Sequence, residues 1–160
     1  MPDLGYRQAQ PYALRLGHQT MFTAPILSEG TLQFHHIGVA CRDFESEERH
    51  FAQLGYHPES SDVFDPIQGV HIRFLVGGGP RLELLRNHAE PGVLTPWLRK
   101  GVRLYHIAYE TPDIAASSRQ LAAAGAKEVS APVAAVAFGG RLVSFHLLAN
   151  LTMIELISLD

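Results

Sequence analysis

The chain has 160 residues, 46% of them hydrophobic, and a formal net charge of −3. That length suits one compact domain or two small halves sharing a core, and it leaves no room for a second large domain. The slight acidity gives no electrostatic footprint for nucleic acid, no stretch approaches the roughly 20 apolar residues that cross a bilayer, and a single cysteine, Cys41, excludes an intrachain disulfide and suits a reducing compartment. A cytoplasmic protein without a membrane or nucleic-acid partner is expected.

Residues 1–30 stand apart as an N-terminal extension. Gly17-His18-Gln19 and Thr23-Ala24-Pro25 interrupt each apolar start, so the segment does not read as a signal peptide. Tyr6, Tyr12, Leu14, Leu16 and Phe22 would let it pack on a partner subunit or cover a cavity; the plainer alternative is a loose tail. From Gln33 to Cys41 the residues suit a strand. From Asp43 to Leu54 the apolar Phe44, Phe51 and Leu54 return at helical spacing, with Asp43 at the N-cap and Gly55 at the end. Strand-like runs follow near Tyr56 to Val63, Val70 to Val76 and Pro80 to Arg86, divided by Asp65-Pro66 and Gly77-Gly78-Gly79. Residues 31–88 thus form one βαβββ module.

The linker, 89–101, carries Pro91-Gly92 and Pro96 and leaves Trp97-Leu98-Arg99-Lys100 for one short helical turn. Residues 102–160 then repeat the first module. A strand spans Val102 to Glu110, and a helix opens at Thr111-Pro112-Asp113, with Pro112 at its first position, and closes at Gly125. Strands follow near Lys127 to Ser130, Arg141 to Leu148 and Leu151 to Ser158. The Ala-rich stretch from Ala131 to Gly140 reads as a mobile loop near a cavity.

The two modules match residue for residue at their anchors. Tyr105-His106-Ile107-Ala108 echoes His35-His36-Ile37-Gly38, and Met153-Ile154-Glu155-Leu156-Ile157 echoes Arg81-Leu82-Glu83-Leu84-Leu85. His36 and Glu83 are 47 positions apart, His106 and Glu155 are 49 apart, and Asp43/Asp113, Arg49/Arg119, Ala52/Ala122 and Gly55/Gly125 keep equal offsets from their His. Such self-similarity marks a duplicated unit.

Strand alternation sorts the anchors by face. Phe34, His36, Gly38 and Ala40 share one side; so do Leu104, His106, Ala108 and Glu110. Leu82, Leu84, Ile154 and Leu156 face the other way, where the helices would dock. Glu83 and Glu155 would therefore be buried carboxylates, which need a counter-charge or a cation. Pairing with arginines such as Arg73, Arg81 or Arg141 could supply it at one site, but two independent salt bridges have no reason to fall at corresponding positions. Ligation of one divalent ion by His36, Glu83, His106 and Glu155 explains all four at once, with Zn, Co, Ni, Mn or Fe compatible with the donors. Of the other histidines, His18, His35, His50, His57, His71 and His88 read as surface or structural residues; His146, on a strand that should border the cavity, is a candidate substrate contact.

At this point the chain resembles the vicinal oxygen chelate superfamily over about Leu32 to Ser158. The segments His36-Ile37-Gly38-Val39-Ala40, Trp97-Leu98-Arg99-Lys100-Gly101 with Tyr105-His106-Ile107-Ala108-Tyr109-Glu110, and Gly139-Gly140-Arg141-Leu142-Val143-Ser144-Phe145-His146 look most like methylmalonyl-CoA epimerases, with glyoxalase I next. The resemblance implies an α+β fold in which two βαβββ modules pair into a curved, incomplete β-barrel with helices outside, a metal held by His36, Glu83, His106 and Glu155, and a homodimer. One departure stands out: the His-Pro-Lys turn and following glycine typical of the epimerases are replaced by His146-Leu147-Leu148-Ala149-Asn150-Leu151-Thr152, so the last hairpin has another shape.

The expected function is a metal-dependent isomerase or epimerase for a small-molecule substrate. It would move a proton next to a carbonyl through a metal-stabilised enolate, on a substrate such as an acyl thioester, with Glu155 the first choice of base and Glu83 the second. Glyoxalase-type isomerisation, iron-dependent dioxygenase chemistry and non-catalytic ligand binding are the alternatives on the same fold.

Overall fold

The computed structural model describes residues 32–160; His18 and the contacts expected of the N-terminal extension lie outside the described residues. The elements run β1 (Gln33–Ala40), α1 (Phe44–Ala52), β2 (His57–Pro58), β3 (Val63–Asp65), β4 (Val70–Val76), β5 (Leu82–Asn87), α2 (Thr95–Arg99), β6 (Leu104–Thr111), α3 (Ile114–Ala123), β7 (Lys127–Ala134), β8 (Leu142–Leu147) and β9 (Met153–Ser158). The nine strands among the described residues form one mixed sheet in the order β2-β4-β5-β1-β6-β9-β8-β7, with β3 also on β4. The sheet stays open. Its centre is the antiparallel pair β1–β6, where the halves join, and on either side the His strand runs parallel to the Glu strand, β1 with β5 and β6 with β9.

The helices begin where short acidic side chains cap them. Asp43 accepts a hydrogen bond from the Ser46 N–H and Asp113 one from the Ala116 N–H, both at 2.8 Å. After them Gly55 and Gly125 take φ of +87° and +88°, a conformation that costs a side-chain-bearing residue but not glycine. α1 covers Val39, Leu82 and Leu84 through Phe44, and α3 covers Ile154 and Leu156 through Ile114 and Leu121. These are the aliphatic faces the alternation assigned to helix docking. Fully buried Leu84 and Leu156 each contribute on the order of 2 kcal/mol of transfer free energy. The opposite face holds a second core of Ile72, Phe74, Leu85, Val143, Phe145 and Ile157, into which α2 inserts Leu98. Cys41 is buried beneath α1.

Three details depart from the sequence expectation. The run near Tyr56 to Val63 is two short strands, because the polar stretch from Glu59 to Asp62 has no apolar face to hold on the sheet. Pro112 lies ahead of α3, since Asp113 takes the N-cap. Ala131 to Gly140 is no loop: β7 extends through Ala134 and a single 3-10 turn, Val136–Phe138, follows, anchored by the buried Phe138. Among the described residues no helix is long and apolar enough to cross a membrane.

Candidate metal centre

Strand register converts the sequence repeat into a cluster. One row across the sheet reads Phe74, Glu83, Gly38, His106, and a second reads Phe145, Glu155, Ala108, His36. Each row carries the Glu of one half and the His of the other, with a very small residue between them. A Cβ on Gly38 would stand 2.5 Å from His106 Nδ1, so the imidazole occupies the space that any larger residue would need.

The four polar side chains meet at a point. His36 Nε2 lies 2.9 Å from His106 Nε2, 3.2 Å from Glu83 Oε2 and 3.3 Å from Glu155 Oε2. His106 Nε2 is 3.3 Å from each carboxylate, and the four donor atoms all fall within 4.8 Å of one another. None of the four side chains is more than 3% exposed. The arginines that might have neutralised the carboxylates are engaged elsewhere: Arg73 with Asp62 and Glu48, Arg81 with Glu59, and Arg141 with Glu110.

The local electrostatics follow from that crowding. Burial disfavours the charged form of His36, but Glu83 and then Glu155 outweigh it and raise its pKa to about 9. Burial likewise works against ionisation of Glu83, yet His36 and His106 hold its carboxyl well below the usual carboxylate range. Glu155 Oε2 is buried, lies 3.3 Å from each imidazole Nε2 and, among the described residues, has no hydrogen bond of good geometry. An orphaned carboxylate oxygen in the interior is costly, and a cation between the four donors would satisfy it. Four donor atoms within 4.8 Å of one another are close enough to hold one ion together. Two imidazoles and two carboxylates suit a borderline divalent metal.

Aromatic rings surround the cluster. Phe74 meets His36 edge-on at 5.8 Å, Phe145 meets His106 edge-on at 5.5 Å, and Phe138 stacks on His36 at 5.8 Å. Two further residues reach the site through β-bulges, one ahead of each His, where the β1–β6 register slips between Phe34 and His36 and between Gly38 and Val39. The first bulge brings His35, expected on the far face, to 2.7 Å from His36 with the two Nδ1 atoms facing. The second admits Tyr105, 5.1 Å from His106, whose phenol is pushed up to about 12 by burial and then by Glu155 and Glu83. Simple alternation missed both, and the repeat itself was the available signal, since His35 and Tyr105 hold equivalent positions.

His146 is not at the site. It is fully buried against α3, its Nε2 3.2 Å from Ser118 Oγ and 3.1 Å from Ser144 Oγ, because Phe145 takes the inward position opposite Glu155. A cavity of about 720 Å³, mostly apolar, opens beside His106 and is bordered by Trp97, Lys100, Tyr105, Leu147 and Met153.

The family model described as the glyoxalase/bleomycin resistance protein/dioxygenase superfamily matches residues 35–145. No curated protein matches the chain. Among solved structures, a hypothetical protein from Bacillus halodurans C-125 aligns with a TM-score of 0.69 at 22% identity, over 81% of this chain and 96% of that one. The methylmalonyl-CoA epimerase of Mycobacterium tuberculosis aligns at 0.68 and 21%, over 82% and 91%. A variant of the Streptomyces coelicolor methylmalonyl-CoA epimerase, in complex with 2-nitronate-propionyl-CoA, aligns at 0.66 and 24%, over 79% and 96%. At such identities the structural likeness speaks for the fold, and the family match spans most of the sequence. With its duplicated βαβββ modules joined in one open sheet, the chain belongs to the glyoxalase/bleomycin resistance protein/dioxygenase superfamily, whose architecture is the vicinal oxygen chelate fold.

Proposed function

We propose that the protein is a divalent-metal-dependent isomerase or epimerase that moves a proton on a carbon next to a carbonyl. The observation that carries this reading is the buried convergence of His36, Glu83, His106 and Glu155, two residues from each half, with no arginine or lysine ion pair to either carboxylate among the described residues. These four residues would hold one Zn, Co, Ni, Mn or Fe ion, whose chemistry there would be to polarise the carbonyl and stabilise the enolate.

Glu155 is the first choice of base and Glu83 the second, one carboxylate reaching the shared cluster from each half. Glu155 would take the proton from the α-carbon on one side. For inversion, Glu83, from the other half, would return on the opposite side a proton that it had first taken up from solvent, since the imidazoles hold its resting form ionised. The apolar cavity would exclude water and seat the substrate's carbon skeleton, with Lys100 at its border to meet an anionic part. Solved neighbours of the same fold bind 2-nitronate-propionyl-CoA and methylmalonyl-CoA, which supports a 2-substituted acyl thioester as the first substrate class to try. All four ligands belong to one chain, so the homodimer expected from the resemblance would carry two complete sites.

The test is solvent deuterium uptake at the α-carbon of racemic and resolved 2-substituted acyl thioesters. Exchange that disappears on chelation and returns with added metal is the expected result. Tight metal binding without exchange on any α-acidic thioester would turn the assignment towards glyoxalase-type or ligand-binding relatives.

A further inference from the structure

Resting on the reading of this site as one that acts on an acyl thioester, we infer that the cavity beside His106 takes a long or bulky apolar acyl group. Leu104 and Leu151, at its rim, are the residues that set this specificity.

The first observation is exposure. Among the described residues the two most exposed large apolar side chains are Leu151, at 71%, and Leu104, at 70%. Leu104 opens β6 and Leu151 lies in the turn between β8 and β9, yet both border the same cavity. Single exposed leucines are ordinary on a protein surface. Two of them meeting at one apolar cavity mark a place for an apolar ligand to lie.

The second observation is backbone strain at one of the two. The Leu151 N–H donates to the Leu148 carbonyl and the Leu148 N–H to the Thr152 carbonyl, both at 2.9 Å, so the chain reverses tightly over Leu148 to Leu151. The Thr152 N–H is held by Asn150 Oδ1 at 3.0 Å. The residue leaving such a turn takes the left-handed conformation, where glycine is free of strain and a side chain is not. Leu151 has φ of +67°, and the seven other positive-φ positions among the described residues are all glycine. At 151 the chain instead keeps a large side chain that leaves the turn strained and stands mostly in solvent. Folding gains little from it, so its use lies in a contact made after folding.

The third observation is the chemistry of the wall. The cavity reaches the metal cluster at His106 and is built from Trp97, Tyr105, Leu147 and Met153, with Trp97 edge-on to Tyr105 at 5.5 Å. Lys100 is the only permanently charged side chain on it, and no carboxylate of the described residues lines it. Its volume of about 720 Å³ far exceeds what a methyl substituent fills. With the reacting carbonyl at the cluster, an extended apolar acyl group would lie along this wall and cover Leu104 and Leu151, removing both from water. A short or charged acyl group would leave both leucines wet.

Trp97 is the single tryptophan of the chain, so its fluorescence reads occupancy of the cavity with or without metal. The test titrates the chelated full chain with the N-acetylcysteamine thioesters of 2-methylpropanoic, 2-methylpentanoic and 2-methyloctanoic acids. Affinity should rise at least roughly 10-fold from the shortest to the longest. Leu151→Gly should weaken binding of the 2-methyloctanoyl thioester by roughly 5–30-fold and leave the 2-methylpropanoyl thioester unaffected. Its unfolding midpoint should stay the same or rise, since glycine relieves the turn. Leu151→Ala, which keeps the strained Cβ, should weaken binding alike without that gain, and Leu104→Ser should do so with little change in stability. Affinity independent of chain length, or full long-chain affinity in Leu151→Gly and Leu104→Ser, would overturn the inference. A change of oligomeric state in place of affinity would also overturn it, assigning the rim to a second copy of the chain. Chain-length preference with no deuterium exchange at any α-carbon would overturn the isomerase reading alone and leave the cavity's preference standing.

Discussion

Gly38 and His106 face each other across the β1–β6 seam, and the imidazole fills the volume a methyl group on Gly38 would require. At the equivalent place in the other row, Ala108 carries its methyl opposite His36 and remains fully buried. Gly38→Ala should therefore displace His106, weakening Zn(II) binding at least ~10-fold and costing about 1–3 kcal/mol through overpacking. Ala108→Gly should lose only about 0.5–1 kcal/mol from backbone entropy and keep its metal. Calorimetric titration with urea denaturation checks the pair; equal metal affinity in Gly38→Ala would remove this glycine from the site.

Glu155→Gln separates ligand from base. The amide keeps the shape and can still offer an oxygen, so unfolding free energy should move by less than about 1 kcal/mol. Proton exchange at the substrate α-carbon should fall by roughly 10²–10⁴-fold. Glu83→Gln should lower exchange less in the removal direction and more in reprotonation from the opposite side, seen as a mismatch between deuterium uptake and inversion. Full turnover in Glu155→Gln would end its assignment as the base.

How much of this was readable beforehand depended on whether local chain geometry decided it. His36, Glu83, His106 and Glu155 were legible because each recurs at a repeated offset, and alternation over the regular stretch that follows each bulge, and along β5 and β9, puts each on the inner face. The helix docking faces at Leu82, Leu84, Ile154 and Leu156 were legible for the same reason. His35 and Tyr105 were not, since a bulge is a property of two paired strands and cannot be counted along one. His146 failed similarly: the alternation of β8 is regular, but which set faces inward is fixed by Phe145 pairing with Glu155. Phe138 was hidden in an alanine-rich stretch without a period, ordered by the ring's burial against His36.

Removing the ion should leave two carboxylates and two imidazoles buried together, so the folded state should depend visibly on metal. With free metal at 100 times its dissociation constant, stabilisation should be about 2.7 kcal/mol, or roughly 5–10 °C in Tm for a chain of this size. Scanning calorimetry with a chelator and then with Zn, Co, Ni, Mn and Fe(II) tests this and ranks the ions. A double variant, Glu83→Gln with Glu155→Gln, should lose most of the metal-dependent increase. If no ion raises the Tm of the unaltered protein, the cluster does not bind metal in solution.

Acid sensitivity should trace in part to His146, away from the metal cluster. Burial lowers its pKa from the ordinary 6.5, with Glu128 on β7 pulling weakly the other way. Its other near partners are the hydroxyls of Ser118 on α3 and Ser144 on β8, both of which can donate to a neutral imidazole. A depressed folded pKa means that the unfolded chain takes up the proton first. The stability from this residue is then complete above pH 6.5 and lost as pH falls from there through the folded pKa. Urea midpoints measured at pH 7.5 and pH 5.5 should fall further apart in the unaltered protein than in His146→Gln, which keeps hydrogen-bonding groups for the two serines but cannot titrate. An identical pH dependence in the two proteins would mean that His146 is already satisfied as a cation beside Glu128, contrary to its burial against α3.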